Sequence, residues 1–134
     1  MTEQTTDSAR AADLAGIRQA ALDYMQGWYE GDAERMRRCL HPELIKRAMT
    51  NPQTGERRLY QVTQPQMVTW TQQGGGSETP ADQRFYEVTV LDVYDEIACA
   101  RAESYHYVDY LQLARSEGTW LLVNVLYERK PGLR

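Results

Sequence analysis

Two histidines are the first candidates for proton transfer in this chain, because histidine is the side chain that titrates nearest to neutral pH. His41 follows a predicted short helix, whose negative pole favours the protonated imidazole. His106 stands in the β-rich C-terminal half of the chain. We predict both as catalytic residues that move protons, although His41, followed by Pro42, also suits a plain helix end.

Lys46 and Arg47 are a second chemical feature, a pair of adjacent cations that follows the same helix. Their charged groups suit a ligand carboxylate or phosphate, and a lysine that is removed from water can also lose its proton. Exposed charge without a ligand is the equally open alternative. We predict both residues as ligand-binding.

A predicted β-hairpin brings further polar side chains together. Two β-rich segments between residues 85 and 108 are expected to pair through a tight turn at Asp95-Glu96. Counting outward from that turn places Glu87 opposite Ser104. Both are predicted to share an interior face with His106, so Glu87 is predicted to line the open end of a pocket.

Helices that precede a run of strands must position these side chains. The predicted elements are helices over 9–30, 33–40 and from 63, and strands over 44–50, 57–62, 85–94, 97–108, 111–114 and 119–127. This order predicts a single α+β domain over residues 9–130, with helices on one face of a curved, mostly antiparallel sheet. Residues 1–8 are predicted to be a disordered tail and 131–134 a C-terminal tail.

Composition excludes several classes of function. The net charge of −4, from 15 basic and 19 acidic residues, lacks the basic footprint that nucleic acid demands. The chain contains no apolar run long enough to span a membrane and no signal peptide, so we expect a cytoplasmic protein. The two cysteines are expected to be reduced, and we predict neither a metal nor a cofactor.

Two other stretches concern partners and access to a pocket. Gly74-Gly75-Gly76 lacks the lysine of a phosphate loop, and we predict a mobile segment or lid there.

The long strands carry apolar residues on both faces. A sheet of that kind needs a second cover, so we predict a homodimer through the outer face of the sheet. Binding of a different protein by that tyrosine-rich sheet is a weaker alternative.

Three motifs carry a resemblance to a known family. They are Tyr24–Asp32 with Gly31-Asp32 at its end, Leu40-His41-Pro42, and Val108–Leu113 leading into Gly118–Asn124. In these motifs the chain resembles the nuclear transport factor 2-like superfamily of ketosteroid isomerases, polyketide cyclases and scytalone dehydratase. Within that superfamily it most resembles the bacterial group labelled "putative lumazine-binding". The resemblance covers residues 9–130 and implies a cone-shaped α+β barrel around an apolar pocket.

Similarity to the ketosteroid isomerases implies roles for three positions. The family's catalytic tyrosine falls on Tyr24, its oxyanion-hole aspartate on Asp109 and its catalytic base on Ala48. Tyr24 and Asp109 are therefore predicted to stabilise developing negative charge. Because alanine cannot accept a proton, isomerisation with the usual base is not expected. Strict alternation along one strand would place His106 and Asp109 on opposite faces, unless a β-bulge separates them.

Four further residues are predicted to bind a ligand: Trp28, Trp70, Tyr110 and Asn124. Packing is the plainer role for the tryptophans, and knitting of the sheet is the plainer role for Asn124. The sequence thus predicts a small-molecule-binding protein. Cofactor-free isomerase, dehydratase or hydratase chemistry on a small carbonyl or aromatic compound is one expectation, and a non-catalytic binding or dimerisation module is the alternative.

Overall fold

The computed structural model describes the backbone of residues 3–133 and the side chains of residues 8–132. The helices are α1 (Glu3–Glu30), α2 (Ala33–Cys39) and α3 (Gln64–Gln72), and short 3₁₀ turns cover Ala81–Gln83 and Pro131–Leu133. The strands are β1 (Leu40–Thr50), β2 (Arg57–Thr63), β3 (Tyr86–Tyr94), β4 (Ile97–Ser104), β5 (Tyr107–Ser116) and β6 (Thr119–Arg129).

The six strands form one mixed sheet in the order β2-β1-β6-β5-β4-β3. Neighbouring strands are antiparallel except for β1 and β6, which are parallel. The three helices pack on one face, so the predicted α+β class is confirmed. The sheet keeps two edge strands, β2 and β3, and does not close into a barrel.

Helix α1 lies across the inner face of the sheet. Its buried stripe includes Ile17, Ala21 and Tyr24, and it meets the row of small buried alanines on β4. Small side chains let the helix axis approach the sheet closely. With 28 residues α1 is the longest helix, and no helix among the described residues has the apolar run that a membrane span requires.

The start of α1 differs from the prediction. The helix begins at Glu3, so the backbone of residues 3–8, predicted as a disordered tail, continues it. Met1 and Thr2 lie outside the described residues. At the other end of the chain Pro131–Leu133 forms a 3₁₀ turn, and Arg134 again lies outside what is described.

Helix α2 is capped at its start and passes directly into a strand at its end. The Asp32 side chain accepts a hydrogen bond from the backbone N–H of Arg35, the usual role of an aspartate just before a helix. The helix ends at Cys39, and β1 begins at Leu40. His41 is therefore a strand residue and does not mark a helix end.

The register of the β3–β4 hairpin differs from the predicted one. The turn at Asp95-Glu96 is confirmed, with Asp95 at φ +49°. A bulge between Val90 and Asp92 then shifts the pairing by one residue, so Glu87 lies opposite Glu103. One residue of shift exchanges the two faces of a strand, and Glu87 is exposed on the outer face of the sheet.

The predicted strand over 97–108 is two strands joined by a turn at Tyr105-His106. The Ser104 hydroxyl closes this turn: it accepts a hydrogen bond from the Tyr107 N–H at 3.2 Å and donates one to the Tyr107 carbonyl oxygen at 3.3 Å. Serine side chains stabilise turns in this way. The sequence reading missed the turn because Tyr-His lacks the usual glycine, asparagine or aspartate.

Candidate functional site

A cavity of about 530 Å³ opens between α1, α3 and the inner face of the sheet. This volume lies within the range of small-molecule sites. Aromatic and thioether side chains form much of its wall: Trp28, Tyr29, Met67, Trp70, Tyr107 and Tyr127. A few polar groups interrupt that wall, which is the usual composition of a site that binds an organic ligand.

Three of these polar side chains form one hydrogen-bonded group, the Lys46–Tyr24–Asp109 triad. The Tyr24 hydroxyl donates to Oδ2 of Asp109 at 2.6 Å. Lys46 Nζ donates to the same hydroxyl oxygen at 2.5 Å and lies 3.6 Å from Asp109 Oδ2. The hydroxyl of Tyr24 therefore connects a cation to a carboxylate.

The triad lies in a largely dry environment. Tyr24 and Asp109 are 4% and 5% exposed, and the Lys46 side chain is 13% exposed. The ammonium group lies over the Tyr24 ring at 5.1 Å and the Tyr127 ring at 4.3 Å. Aromatic faces attract a cation, and the attraction is stronger where water is excluded.

Burial changes the proton affinities within the triad. It lowers the pKa of the Lys46 ammonium, although the nearby Asp109 carboxylate opposes that shift. Burial raises the pKa of the Tyr24 hydroxyl well above its usual range, and the Asp109 charge raises it further. Tyr24 therefore keeps its proton at neutral pH, whereas Lys46 releases its proton more readily than an exposed lysine.

Three separate elements place the triad. Lys46 points inward from β1 between the buried residues Leu44 and Ala48, which follows from strand alternation. Asp109 on β5 lies opposite Tyr127 on β6, and the two share the inner face. Tyr24 belongs to the buried face of α1. The site therefore exists only where α1, β1 and β5 meet.

The position that the family resemblance gives to a catalytic base is buried core. Ala48 is 3% exposed and lies outside the cavity lining. Lys46, two residues earlier on the same face of β1, reaches the cavity instead. Arg47 belongs to the opposite face of the strand and does not line the cavity, because successive side chains alternate.

The two histidines occupy unlike places. His106 lies in the β4–β5 turn and lines the cavity together with Asp109, so no bulge between them is needed. Burial, with the charges of Arg129 and Lys130, lowers the pKa of His106 and favours the neutral imidazole. His41 lies away from the cavity, where its Nδ1 accepts a hydrogen bond from the Glu43 N–H at 3.0 Å.

The remaining predicted ligand-binding residues divide between the two faces of the sheet. Trp28 and Trp70 line the cavity. Tyr110 is 50% exposed on the outer face, and Asn124 donates to Gln112 across the outer face at 3.2 Å. Glu87 is also on that face. None of these three residues lines the cavity. Glu87 was predicted there from a hairpin register that the bulge changes, and Asn124 has the plainer role of knitting the sheet.

Several cavity residues were not predicted, and Tyr127 and Met67 are the most prominent. Alternation along β6 from the buried Val125 would have pointed to Tyr127, but only once the pairing with Asp109 was known. Met67 belongs to the inner side of α3 and reads in sequence as an ordinary core residue. Neither residue type carries a chemical signal on its own.

The glycine-rich loop forms one side of the cavity. Gln73, Gly74, Gly75 and Glu78 contribute to the lining. A Cβ atom on Gly75 would lie 2.5 Å from Cη2 of Trp28, so glycine is required for the loop to rest on the indole ring. The loop is thus packed against α1 in this structure; the predicted mobility stays a prediction.

The described residues contain no cluster of three histidine, cysteine, aspartate or glutamate side chains that could hold a metal ion. Cys39 and Cys99 are both free thiols. Besides the triad and His106, the described lining of the cavity includes two further charged side chains, Glu78 and Arg129.

Solved structures share the architecture at low sequence identity. A nuclear transport factor 2-like protein of unknown function from Silicibacter pomeroyi matches 90% of this chain and 98% of its own, with 18% identity and a TM-score of 0.75. One from Shewanella baltica matches 89% and 94%, with 15% identity and a TM-score of 0.68. A ketosteroid isomerase-like protein from Erwinia carotovora atroseptica matches 87% and 95%, with 14% identity and a TM-score of 0.59.

These likenesses establish the fold, since identities this low do not carry a function. No curated protein matches the chain in sequence. A family model does: the one described as "Putative lumazine-binding" matches residues 12–128. The chain therefore belongs to that family, and it shares the fold of the nuclear transport factor 2-like structures.

Proposed function

We propose that this protein binds a small organic molecule, aromatic in part and bearing a carbonyl or similar oxygen, and transfers a proton to or from it without a cofactor. The single observation that carries the proposal is the position of the Tyr24 hydroxyl, 2.6 Å from Asp109 and 2.5 Å from Lys46. The triad lies in the wall of a cavity of ligand size.

The lining supports a ligand with an apolar body. Trp28, Trp70 and Met67 offer flat or flexible apolar surfaces, which suit a ring. The printed description of the family, "putative lumazine-binding", agrees with a flat heteroaromatic ligand but does not identify one. A polar oxygen of the ligand would then meet Lys46 at the triad.

The triad suits acid–base chemistry at such an oxygen. The Lys46 ammonium would donate to the ligand oxygen and stabilise negative charge that develops there. Asp109 would accept or return a proton, and Tyr24 would connect the two groups. His106, whose lowered pKa favours the neutral imidazole, would exchange protons with water. Isomerisation, dehydration and hydration all need these steps.

Deuterium exchange tests the proposal directly. Aromatic ketones with exchangeable α-hydrogens, such as acetophenone, would be incubated with the protein in D₂O, and incorporation at the α-carbon would be followed by proton NMR. We expect exchange above the buffer rate. Tyr24→Phe and Asp109→Asn should each reduce it by about 10²-fold, the usual effect of removing one preorganised polar group.

Glu87→Gln is the matched control, because Glu87 is an exposed carboxylate on the outer face. It should exchange at the wild-type rate. Quenching of tryptophan fluorescence reports binding separately, since Trp28 and Trp70 line the cavity. Full exchange activity in both triad variants would contradict the proposed chemistry.

Non-catalytic ligand binding is the second candidate, and Ala48 is the observation that favours it. The position that the family resemblance assigns to the base holds a side chain that cannot accept a proton. In that case a ligand would quench Trp28 and Trp70 and raise the melting temperature, while no deuterium enters it above the buffer rate.

A further inference from the structure

Lys46 is the one primary amine among the described residues that line the cavity. Its Nζ lies at the inner wall, where it contacts two tyrosine rings and the Tyr24 hydroxyl. The chain has only one other lysine, Lys130, and that residue is paired with Glu103 at 2.8 Å outside the cavity. All other side-chain cations are arginines or histidines.

The triad geometry gives this amine a route to its neutral, nucleophilic form. Lys46 donates a proton toward the Tyr24 oxygen, and Tyr24 donates its own proton toward Asp109 Oδ2. If both protons move along these hydrogen bonds, Lys46 becomes a neutral amine and Asp109 a neutral carboxylic acid, while Tyr24 is unchanged. Burial lowers the pKa of the Lys46 ammonium and so makes this proton transfer from the resting ion pair easier, because a charge is costly in an apolar site.

We propose that Lys46 forms a reversible imine with an aldehyde or ketone that enters the cavity. The inference rests on the proposed function, since it needs a carbonyl compound to bind there. It extends that function by assigning Lys46 as the covalent nucleophile and carbonyl compounds as the ligand class.

The step balances without an oxidant or reductant. The nitrogen lone pair of neutral Lys46 attacks the carbonyl carbon, and the carbonyl π electrons move to oxygen. One nitrogen-bound proton passes to that oxygen and gives a carbinolamine. The carboxylic acid of Asp109 then gives its proton through Tyr24 to the carbinolamine oxygen, which leaves as water while the nitrogen lone pair forms the C=N bond, so that the products are a protonated imine and the Asp109 carboxylate. Addition of water reverses the sequence.

The local charges fit this assignment. The protonated imine would carry the positive charge that the ammonium carried before, at the same place beside Asp109 and over the Tyr127 ring. The cavity therefore gains no charge when the bond forms. Aromatic walls formed by Trp28 and Trp70 indicate an aldehyde or ketone with an attached ring.

Reductive trapping on the wild-type protein is the experiment. Biphenyl carboxaldehyde and sodium cyanoborohydride would be added near neutral pH, and labelled sites would be mapped by peptide mass spectrometry. Lys130 and the α-amino group serve as internal references in the same molecule. We expect Lys46 to be labelled about tenfold faster than Lys130, because the cavity would hold the ring of the aldehyde beside the Lys46 amine and the lowered pKa of that amine favours its neutral form.

Variants and a competing ligand separate the possible causes of fast labelling at Lys46. Lys46→Arg should remove the fast label, whereas Lys130→Arg should leave it unchanged. Tyr24→Phe interrupts the proton route and should slow labelling of Lys46 while that of Lys130 stays constant. Biphenyl methanol, which has the ring system without the carbonyl, should bind, quench the cavity tryptophans and slow the labelling of Lys46.

Each alternative outcome has a defined meaning. If biphenyl methanol binds but Lys46 is labelled no faster than Lys130, imine formation is wrong and the proposed ligand binding stands. If Lys46 is labelled quickly and the alcohol does not slow it, the cavity is not the place of reaction, and the inference fails. Absence of both binding and selective labelling contradicts this inference and the binding function together.

Discussion

At the scale of single residues, the buried ion pair defines the site. A charged lysine and a carboxylate in an apolar wall are each expensive to desolvate, and their attraction offsets this cost only while both are present. Lys46 and Asp109 satisfy that condition through the Tyr24 hydroxyl. Residues that are costly to keep in the core and lie beside a cavity are functional candidates on physical grounds.

A double-mutant cycle measures this dependence. Asp109→Ala leaves the Lys46 ammonium buried without its anion and should lower the free energy of unfolding by about 3–5 kcal/mol. Lys46→Met in the same chain should restore much of the loss, because the uncompensated charge is removed. Urea denaturation followed by circular dichroism gives all four free energies. Simple additivity of the two changes would contradict a coupled pair.

At the scale of secondary-structure elements, ion pairs connect helix α1 to helix α2. Asp23 on α1 is 5% exposed and accepts hydrogen bonds from Arg35 at 2.7 Å and Arg38 at 3.1 Å. Burial alone would raise the pKa of Asp23, but the hydrogen bonds from Arg35, Arg38 and Gln19 more than offset it and lower the pKa.

Stability in acid should therefore depend on Asp23. A carboxyl whose pKa is lowered on folding stabilises the protein above its unfolded pKa, near 3.8, and loses that effect as the pH falls through the folded value. Asp23→Asn should cost about 1–3 kcal/mol at pH 7. The difference in free energy of unfolding between the variant and the wild type should shrink below about pH 4. Urea denaturation at pH 7 and below pH 4 measures it. The same difference at both pH values would contradict this role of Asp23.

The loop beside α1 allows a second test at this scale. Gly75→Ala places a methyl group where Cη2 of Trp28 now lies, so the loop must shift and reshape the cavity wall. We expect weaker ligand binding, measured by quenching of the cavity tryptophans. Gly132→Ala is the control, since a Cβ there meets nothing within 4 Å, and it should bind as wild type does. Unchanged affinity in Gly75→Ala would mean that the loop does not shape the site.

Elements were predictable from sequence where short-range signals are strong. Apolar spacing predicted the helices, and the turn at Asp95-Glu96 was predicted correctly. The start of α3 was predicted from the capping box that Thr63 forms with Gln66. The bulge after Val90 and the turn closed by Ser104 have no comparable local signal. Because each changes the face of the residues beyond it, strand alternation placed Glu87 on the wrong face, whereas His106 lines the cavity from a turn.

The residues of the candidate site were also predictable only in part. Tyr24 and Asp109 came from the family resemblance and Lys46 from its charge, and the structure brings these three together. Their contact could not be derived from sequence, since it depends on the parallel pairing of β1 with β6. Arg47 illustrates the limit, because its charge is the same as that of Lys46 and only alternation separates them.

At the scale of the whole molecule, the outer face of the sheet carries an apolar surface. Leu91, Tyr110 and Leu126 are each about half exposed there, next to charged residues such as Glu128. Exposed apolar patches on a sheet mark contact surfaces. A second copy of this chain remains our proposed partner, because a twofold interface can cover the same patch on both molecules.

Sedimentation velocity tests this assembly. We expect a dimer at micromolar concentration for the wild type. Leu126→Asp places a charge in this apolar surface and should give a monomer that keeps its fold. Ala11→Asp adds the same charge to an exposed position of α1, away from the sheet, and should leave the mass unchanged. A wild-type monomer at these concentrations would refute the proposed dimer.

Tyr24 and Trp28 stand four residues apart on α1, and both face the cavity. Helical rise separates two such residues by about 6 Å along the axis. Backbone hydrogen bonds of the helix therefore fix the spacing of these two residues along the cavity wall, independently of the neighbouring loop. We therefore expect the cavity to select ligands by length: one ring of the ligand would lie between Tyr24 and Trp28, and a longer ligand would extend toward the cavity entrance.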